Sequence, residues 1–221
     1  MNIFEIIGPV MVGPSSSHTA GAVKIGYASR KLLGEELKAA EILLHGSFLA
    51  TGKGHGTNFA LVAGLLGMKE DNPLIPESLQ IAKDQGIEIK FGSVDLKDYH
   101  PNSVLLNLTG KKGRKLQVIG ESVGGSIINI ASIDGLRTNF SGENPTLIVH
   151  NKDQPGHVSE VTSMLAHKSV NIAAMQLYRA KRGGDAVMVL ELDSEIPQES
   201  LHWLTKLEGV EKVTYYSCVE N

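Results

Sequence analysis

Three glycine-bracketed segments carry hydroxyls, imidazoles and an amine, a combination suited to holding a small anion and moving a proton. The first is Gly13-Pro14-Ser15-Ser16-Ser17-His18-Thr19-Ala20-Gly21, directly before a stretch of helical periodicity. A helix N-terminus offers unpaired N–H groups and a partial positive charge, which suits a carboxylate. Ser15, Ser16, Ser17 and Thr19 can add hydroxyl donors, and His18 can exchange a proton near neutral pH. The same residues also suit a plain capping loop with an incidental histidine.

The second segment is Thr51-Gly52-Lys53-Gly54-His55-Gly56-Thr57-Asn58, preceded by Gly46-Ser47. Glycines alternate with Lys53 and His55, so the spacing predicts an exposed backbone of close approach between a strand and a helix. It lacks the Gly-x4-Gly-Lys-Ser/Thr spacing of a phosphate loop. Proton abstraction beside a bound carboxylate suits a Lys–His pair better; a bare glycine hairpin is the other reading. The third segment, Gly120-Glu121-Ser122-Val123-Gly124-Gly125-Ser126, reads by itself as a turn or bulge between strands. A fourth, Asp153-Gln154-Pro155-Gly156-His157-Val158, joins a strand to a helix and again leaves helix N–H groups open to a small anion or amino acid.

The elements that must position these residues fall into two groups. Over 22–33 and 57–66 the apolar spacing is helical, with Ser17 or Thr19 as candidate N-cap of the first helix, and 78–85 reads as a third helix. Strands are expected at 41–45, 87–91, 104–108, 116–119 and 126–133. Residues 141–145, Ser-Gly-Glu-Asn-Pro, are turn formers and mark a linker. Beyond it the order strand 146–150, helix 157–168, strands 171–180 and 186–192, a helix opened by Pro197 and strand 210–216 is β-α-β-β-α-β, the ferredoxin-like split unit. The fold class is α+β, with domains over 1–143 and 146–221 and a mostly antiparallel first sheet.

Composition narrows the function. In 221 residues the net charge is −3, 42% of residues are hydrophobic and 20% charged, an ordinary soluble balance. Lys111-Lys112-Gly113-Arg114 is the densest basic run and reads as a hairpin turn, so no nucleic-acid face is expected. No apolar run approaches the roughly 18 residues of a membrane span, and Met1-Asn2-Ile3-Phe4-Glu5 has an acid where a signal peptide carries bases. With Cys218 the sole cysteine, no internal disulfide is possible. Together these lead to the expectation of a cytoplasmic protein that binds no membrane.

Taken in order, Gly-Pro-Ser-Ser-Ser-His-Thr, Thr-Gly-Lys-Gly-His-Gly-Thr and Ser-Val-Gly-Gly resemble the β chain of bacterial iron–sulfur-dependent L-serine dehydratases (L-serine ammonia-lyases). Asp-Gln-Pro-Gly-His-Val with its βαββαβ pattern resembles an ACT domain, a regulatory module that commonly binds amino acids. The resemblance covers nearly the whole chain. It implies a split enzyme in which a partner α subunit carries a [4Fe-4S] cluster, L-serine loses water and ammonia, and pyruvate forms. This chain alone would bind no cluster, since cluster ligation needs cysteine thiolates, and Cys218 would be structural or incidental. The implied catalytic residues are His55, His18 and Lys53, with either histidine as the base and His55 favoured for its flanking glycines. Ser15, Ser16, Ser17, Thr19, Thr57, Gly124 and Gly125 would bind the substrate. Gly156, His157, Val158 and Asn171 would bind L-serine or another small amino acid, in a homodimer built through the ACT domain.

Two departures stand out. Asn58 stands where the family usually has Asp, which removes a charge, and Ser126 replaces the last glycine of Ser-Ile-Gly-Gly-Gly. A side chain at 126 is expected to disfavour positive φ there. Two other readings remain: a stand-alone amino-acid sensor, and a regulatory piece of a phosphoglycerate dehydrogenase. No Gly-x-Gly-x-x-Gly follows a strand, so the chain itself should bind no dinucleotide.

Overall fold

A computed structural model describes residues 10–179 and 181–219. The chain forms two compact units, Met1–Gly135 and Leu136–Asn221. The division precedes the 141–145 turn run expected to be the linker, because a strand unmarked in the sequence, β6 (Leu136–Phe140), belongs with the second unit. The backbone carbonyl of Asn139 in β6 accepts from Gln176 Nε2 at 2.9 Å.

In the first unit a single π-helical turn (Ser16–Ala20) runs into α1 (Gly21–Leu33). Then come β1 (Leu37–Leu44), α2 (Gly46–His55), α3 (Thr57–Leu65), α4 (Ser78–Asp84), β2 (Glu88–Ser93), β3 (Ser103–Gly110), β4 (Lys115–Gly124) and β5 (Ile127–Ile133). Within this unit the strand order is β2-β1-β3-β4-β5, parallel between β1 and β2 and antiparallel elsewhere. Helices α2, α3 and α4 form the crossover that a parallel pair requires.

The alternation of β1 and β3 buries Leu37, Ala40, Ile42, Leu44, Leu106 and Leu108. Residues of the opposite face form a polar ladder: Asn107 Nδ2 donates to Glu41 Oε2 (2.8 Å) and Gln117 Nε2 to Asn107 Oδ1 (2.9 Å).

Two glycines set how closely α1 and α3 approach. A Cβ at Gly26 would lie 2.3 Å from Leu61 O, and one at Gly64 would lie 2.0 Å from Val23 O. The backbones therefore touch where side chains would hold them apart. A Cβ at Gly120 of β4 would lie 2.4 Å from Ile25 Cγ2, so α1 is also seated directly on the sheet. Both helices begin at chemistry-bearing segments, and this contact sets the distance between them.

The second unit continues with β7 (Thr146–Lys152), α5 (His157–His167), β8 (Ile172–Arg179), β9 (Asp185–Leu192), α6 (Gln198–Leu204) and β10 (Val210–Tyr216). Its sheet is antiparallel in the order β10-β7-β9-β8, the ferredoxin-like arrangement read from the sequence. Leu147, Val149, Met188 and Leu190 pack with Val161, Leu165 and Leu204 in its core. Among the described residues no helix is long and apolar enough to cross a membrane.

Candidate functional site

The first segment is organised by Ser15. Its backbone is extended, and its Oγ accepts from the His18 N–H at 3.1 Å. Its carbonyl accepts from Thr19 N (2.9 Å) and Ala20 N (3.3 Å). Ser15 is thus the capping residue, in place of the expected Ser17 or Thr19, because a wide π turn precedes α1 and shifts the start of the helix. Residues at the head of α1 are left free to reach elsewhere.

What they reach is the second segment, which differs from the expected glycine loop. Residues Gly46–His55 form helix α2. Gly56 ends it at φ 70 with its N–H on Gly52 O, and α3 starts at Thr57. A left-handed residue between two helices needs glycine, and the sharp break turns His55 and Thr57 toward the first segment.

Two threonines strap the segments together in opposite directions. Thr19 Oγ1 donates to His55 O at 2.9 Å, and Thr57 Oγ1 donates to His18 O at 3.0 Å. Both hydroxyl protons are therefore committed to carbonyls. The straps hold the His18 and His55 rings with centroids 5.0 Å apart at 46°.

His18 is engaged at both ring nitrogens, Nδ1 by Ser17 Oγ and Nε2 by Ser47 Oγ, each at 3.0 Å. The buried Phe48 ring meets it edge-on at 5.4 Å. Burial holds its pKa below the ordinary histidine range, the neighbouring His55 adds to that, and the bond from Ser47 partly opposes it. The ring is consequently neutral at pH 7. His55 differs: its Nδ1 is buried and has no hydrogen-bond partner among the described residues, and the same is true of Asn58 Oδ1. The side chain of Lys53, expected beside them, lies outside the described residues; its backbone belongs to α2.

The third segment reaches the same place. Gly125 (φ 57) and Ser126 (φ 64) are the two residues of the β4–β5 hairpin turn, and positive φ at both is the signature of a type I′ turn. Ser126 thus takes the conformation its side chain was expected to disfavour. Its buried Oγ donates to Ser16 O at 3.2 Å, which compensates the strain. Gly124 (φ 108) and Gly125 have open space where a Cβ would stand, so their glycines serve backbone conformation and leave room beside the turn. Ser122 Oγ, buried and without a partner among the described residues, occupies the place of a Cβ at Gly21, which would lie 2.2 Å away. Ser15, Ser16, Ser17, His18, Thr19, His55 and Thr57 are therefore assembled, with the Gly124–Gly125 turn tied to Ser16. Ser47, Phe48, Ser122 and Ser126 also belong to this assembly; the three serines stand in the glycine-bracketed segments but are not among the site residues the resemblance implies. The glycines beside Ser47 and Ser126 were the available signal.

The fourth segment joins β7 to α5. Gly156 (φ 109) caps α5. His157 is only 7% exposed, packed so that a Cβ on Gly209 would lie 2.6 Å from its Nε2. Its Nδ1 is 3.4 Å from Glu160 Oε2, an ion pair only when the ring is protonated. Val158 is exposed, and Asn171 is exposed with its amide on Asp193 Oδ2 at 2.6 Å. His157 thus faces inward, while Val158 and Asn171 face solvent.

Known proteins match this arrangement along the chain. The profile of the family described as "Serine dehydratase beta chain" matches residues 2–77, which span the first two segments. A protein named "Probable L-serine dehydratase, beta chain" from Bacillus subtilis is 39% identical over 213 residues, covering 96% of each chain. The "L-serine dehydratase, beta chain" of Peptoniphilus asaccharolyticus is 39% identical over 218 residues, covering 98% of this chain and 97% of that one. A D-3-phosphoglycerate dehydrogenase from Synechocystis is 28% identical over 192 residues, 86% of this chain but 34% of the dehydrogenase. Near full-length identity at this level shows the relationship directly: this chain belongs to the family of L-serine dehydratase beta chains.

Proposed function

We propose that this chain is the β subunit of an L-serine dehydratase, which works with a partner α subunit to convert L-serine to pyruvate and ammonia. The observation that carries the reading is the strapped His18–His55 pair at the meeting of three segments. In this reading His55 removes the α-proton of serine, the role favoured by the glycines that flank it, Gly54 and Gly56. His18, held neutral between two hydroxyls, acts as a fixed hydrogen-bonding neighbour. Lys53, the Ser15–Ser17 turn and the open Gly124–Gly125 turn receive the serine carboxylate, and donors placed there stabilise the charge that develops as the proton leaves. Thr19 and Thr57 keep the two halves in register.

The donors of this chain do not fit an iron–sulfur cluster. Its single cysteine, Cys218, is exposed with Sγ donating to Glu143 O at 3.3 Å. No group of three or more His, Cys, Asp or Glu is placed to hold a metal among the described residues. We therefore assign the [4Fe-4S] cluster to the α subunit, and derive no step through it.

The second unit is proposed to be an ACT-type module that binds L-serine or another small amino acid near Gly156, Val158 and Asn171 and pairs with a second copy. Its strand order and the positive φ of Gly156 support this. A cytoplasmic location follows the metabolic role.

The test is reconstitution. The purified chain alone should be colourless and inactive, and adding the α subunit should give pyruvate from L-serine. Replacing His55 by Ala should lower kcat by a factor of about 100 or more. Activity or visible cluster absorption in the isolated chain would overturn the split assignment. Calorimetric titration of L-serine into wild type, Gly156→Ala and His55→Ala separates the alternative. A stand-alone sensor would lose binding only with Gly156 and yield no dehydratase with the α subunit.

A further inference from the structure

Of the two hydroxyls that hold the His18 ring, Ser47 is the one that comes from outside the first segment. Its Oγ is 3.0 Å from His18 Nε2. Its own position is over-determined. Its N–H donates to Pro101 O at 2.8 Å, and its carbonyl accepts from Thr51 Oγ1 at 2.9 Å. The preceding Gly46 takes φ 51 and passes so close to Pro101 that a Cβ would lie 2.5 Å from Pro101 O. A hydroxyl fixed in this way makes a precise anchor for a ring.

The ring it anchors has few other restraints. His18 is held at its backbone by Thr57 and Ser15. Its side chain is held by Phe48 edge-on and by two hydroxyls, of which Ser17 is the adjacent residue in the same turn. Ser47 alone of these two comes from a different element, 29 residues away. A neutral imidazole has one N–H donor and one acceptor nitrogen, and a hydroxyl can accept from the first or donate to the second, so the two hydroxyls hold the ring plane in either tautomer. Without Ser47 the ring is held at Nδ1 only and can turn about χ2, a broad torsion. Its face would then move against His55.

We propose that Ser47 is a positioning residue of the dehydratase: acting through Nε2, it fixes the orientation of the His18 ring, and through the tilted contact of the two rings, centroids 5.0 Å apart, the placement of His55. This rests on the dehydratase reading of the site. The side chain touches a catalytic candidate, not the substrate, so the effect falls on turnover more than on substrate binding.

The experiment has two independent arms on the full-length chain. In the first, histidine ring nitrogens are labelled with 15N, the His18 signals are assigned with His18→Gln, and tautomer and titration are read in wild type, Ser47→Ala and Ser47→Thr. Ser47→Ala should shift the His18 ring-nitrogen signals, and those of the adjacent His55, while the remaining histidine signals stay in place, and Ser47→Thr should restore the wild-type pattern. In the second, each variant is combined with the α subunit. Ser47→Ala should lower kcat about tenfold to a hundredfold with KM within about twofold, and Ser47→Thr should recover most of it. An unchanged His18 spectrum in Ser47→Ala, or equal turnover in the Ala and Thr variants, would overturn the proposal. If wild type and α subunit make no pyruvate, the dehydratase reading falls, and the His18 spectrum alone decides whether Ser47 positions the ring.

Discussion

The Ser126 hydroxyl donates to the Ser16 carbonyl at 3.2 Å, across 110 residues of sequence. It does so from a backbone at φ 64, a conformation that costs an L-residue about 1–2 kcal/mol, and the net gain of a buried hydrogen bond is about 1 kcal/mol. The two terms nearly cancel, so the serine is tolerable for stability, while the bond itself ties the β4–β5 turn to the head of α1.

The two terms separate by mutation. Ser126→Ala keeps the strained backbone and loses the bond, so it should destabilise the first unit by about 1 kcal/mol. Ser126→Gly loses the bond but relieves the strain, so it should lie within about 1 kcal/mol of wild type. Native-state hydrogen exchange of β4 and β5 amides reads both. Protection in the Ala variant equal to or above that in the Gly variant would contradict the balance.

The lowered pKa of His18 gives the first unit a pH dependence of definite sign. Its folded pKa lies below the unfolded value near 6.5, so between the two the unfolded chain binds more protons. Stability is therefore full above about pH 6.5, falls as the pH drops below it, and levels off below the folded pKa. His18→Gln should flatten this part of the profile. Exchange protection of α1 measured from pH 7.5 down to pH 5 checks it, and an unchanged slope in the variant would refute the assignment to His18.

Gly26 and Gly64 make the α1–α3 contact possible. With Cβ positions 2.3 Å from Leu61 O and 2.0 Å from Val23 O, neither backbone atom can move as a side chain would. Gly26→Ala and Gly64→Ala should each cost about 3 kcal/mol, the upper end of overpacking penalties. Because α1 and α3 carry the first segment and Thr57, reconstituted activity should fall along with the melting temperature. A Gly64→Ala protein with wild-type melting would refute the contact.

In the second unit Gly209→Ala should push His157 from its place, since a Cβ there meets Nε2 at 2.6 Å and the residue sits at φ 77. A loss of about 2 kcal/mol is expected, read by fluorescence of Trp203, the sole tryptophan. Adding His157→Ala removes the obstructing ring, so the double variant should be more stable than the sum of the singles implies. Strict additivity would rule out the clash.

Much of this protein is legible in order along the chain. Periodicity and turn residues place α1, α3 and the whole βαββαβ unit, because a helix or strand burying one face writes its period into its own residues. The glycine-bracketed Ser-Ser-Ser-His-Thr and Lys-Gly-His segments announce chemistry in the same way, since residue type and local backbone freedom are properties of a short stretch. Residues 46–55 form a helix although Gly52, Gly54 and the following Gly56 argue for a loop; the tertiary contacts of Phe48 and Gly46 override that weak local preference. β6 carries too short a pattern to be seen before its partners are known.

What only the tertiary structure decided is which groups meet. The reciprocal bonds of Thr19 with His55 and of Thr57 with His18, the seat of Ser47 on the His18 ring, and the reach of Ser126 to Ser16 join residues 29 to 110 positions apart. No local pattern records such pairings. They follow from two glycines that let α1 and α3 touch, a distance that close packing sets and spacing along the chain does not.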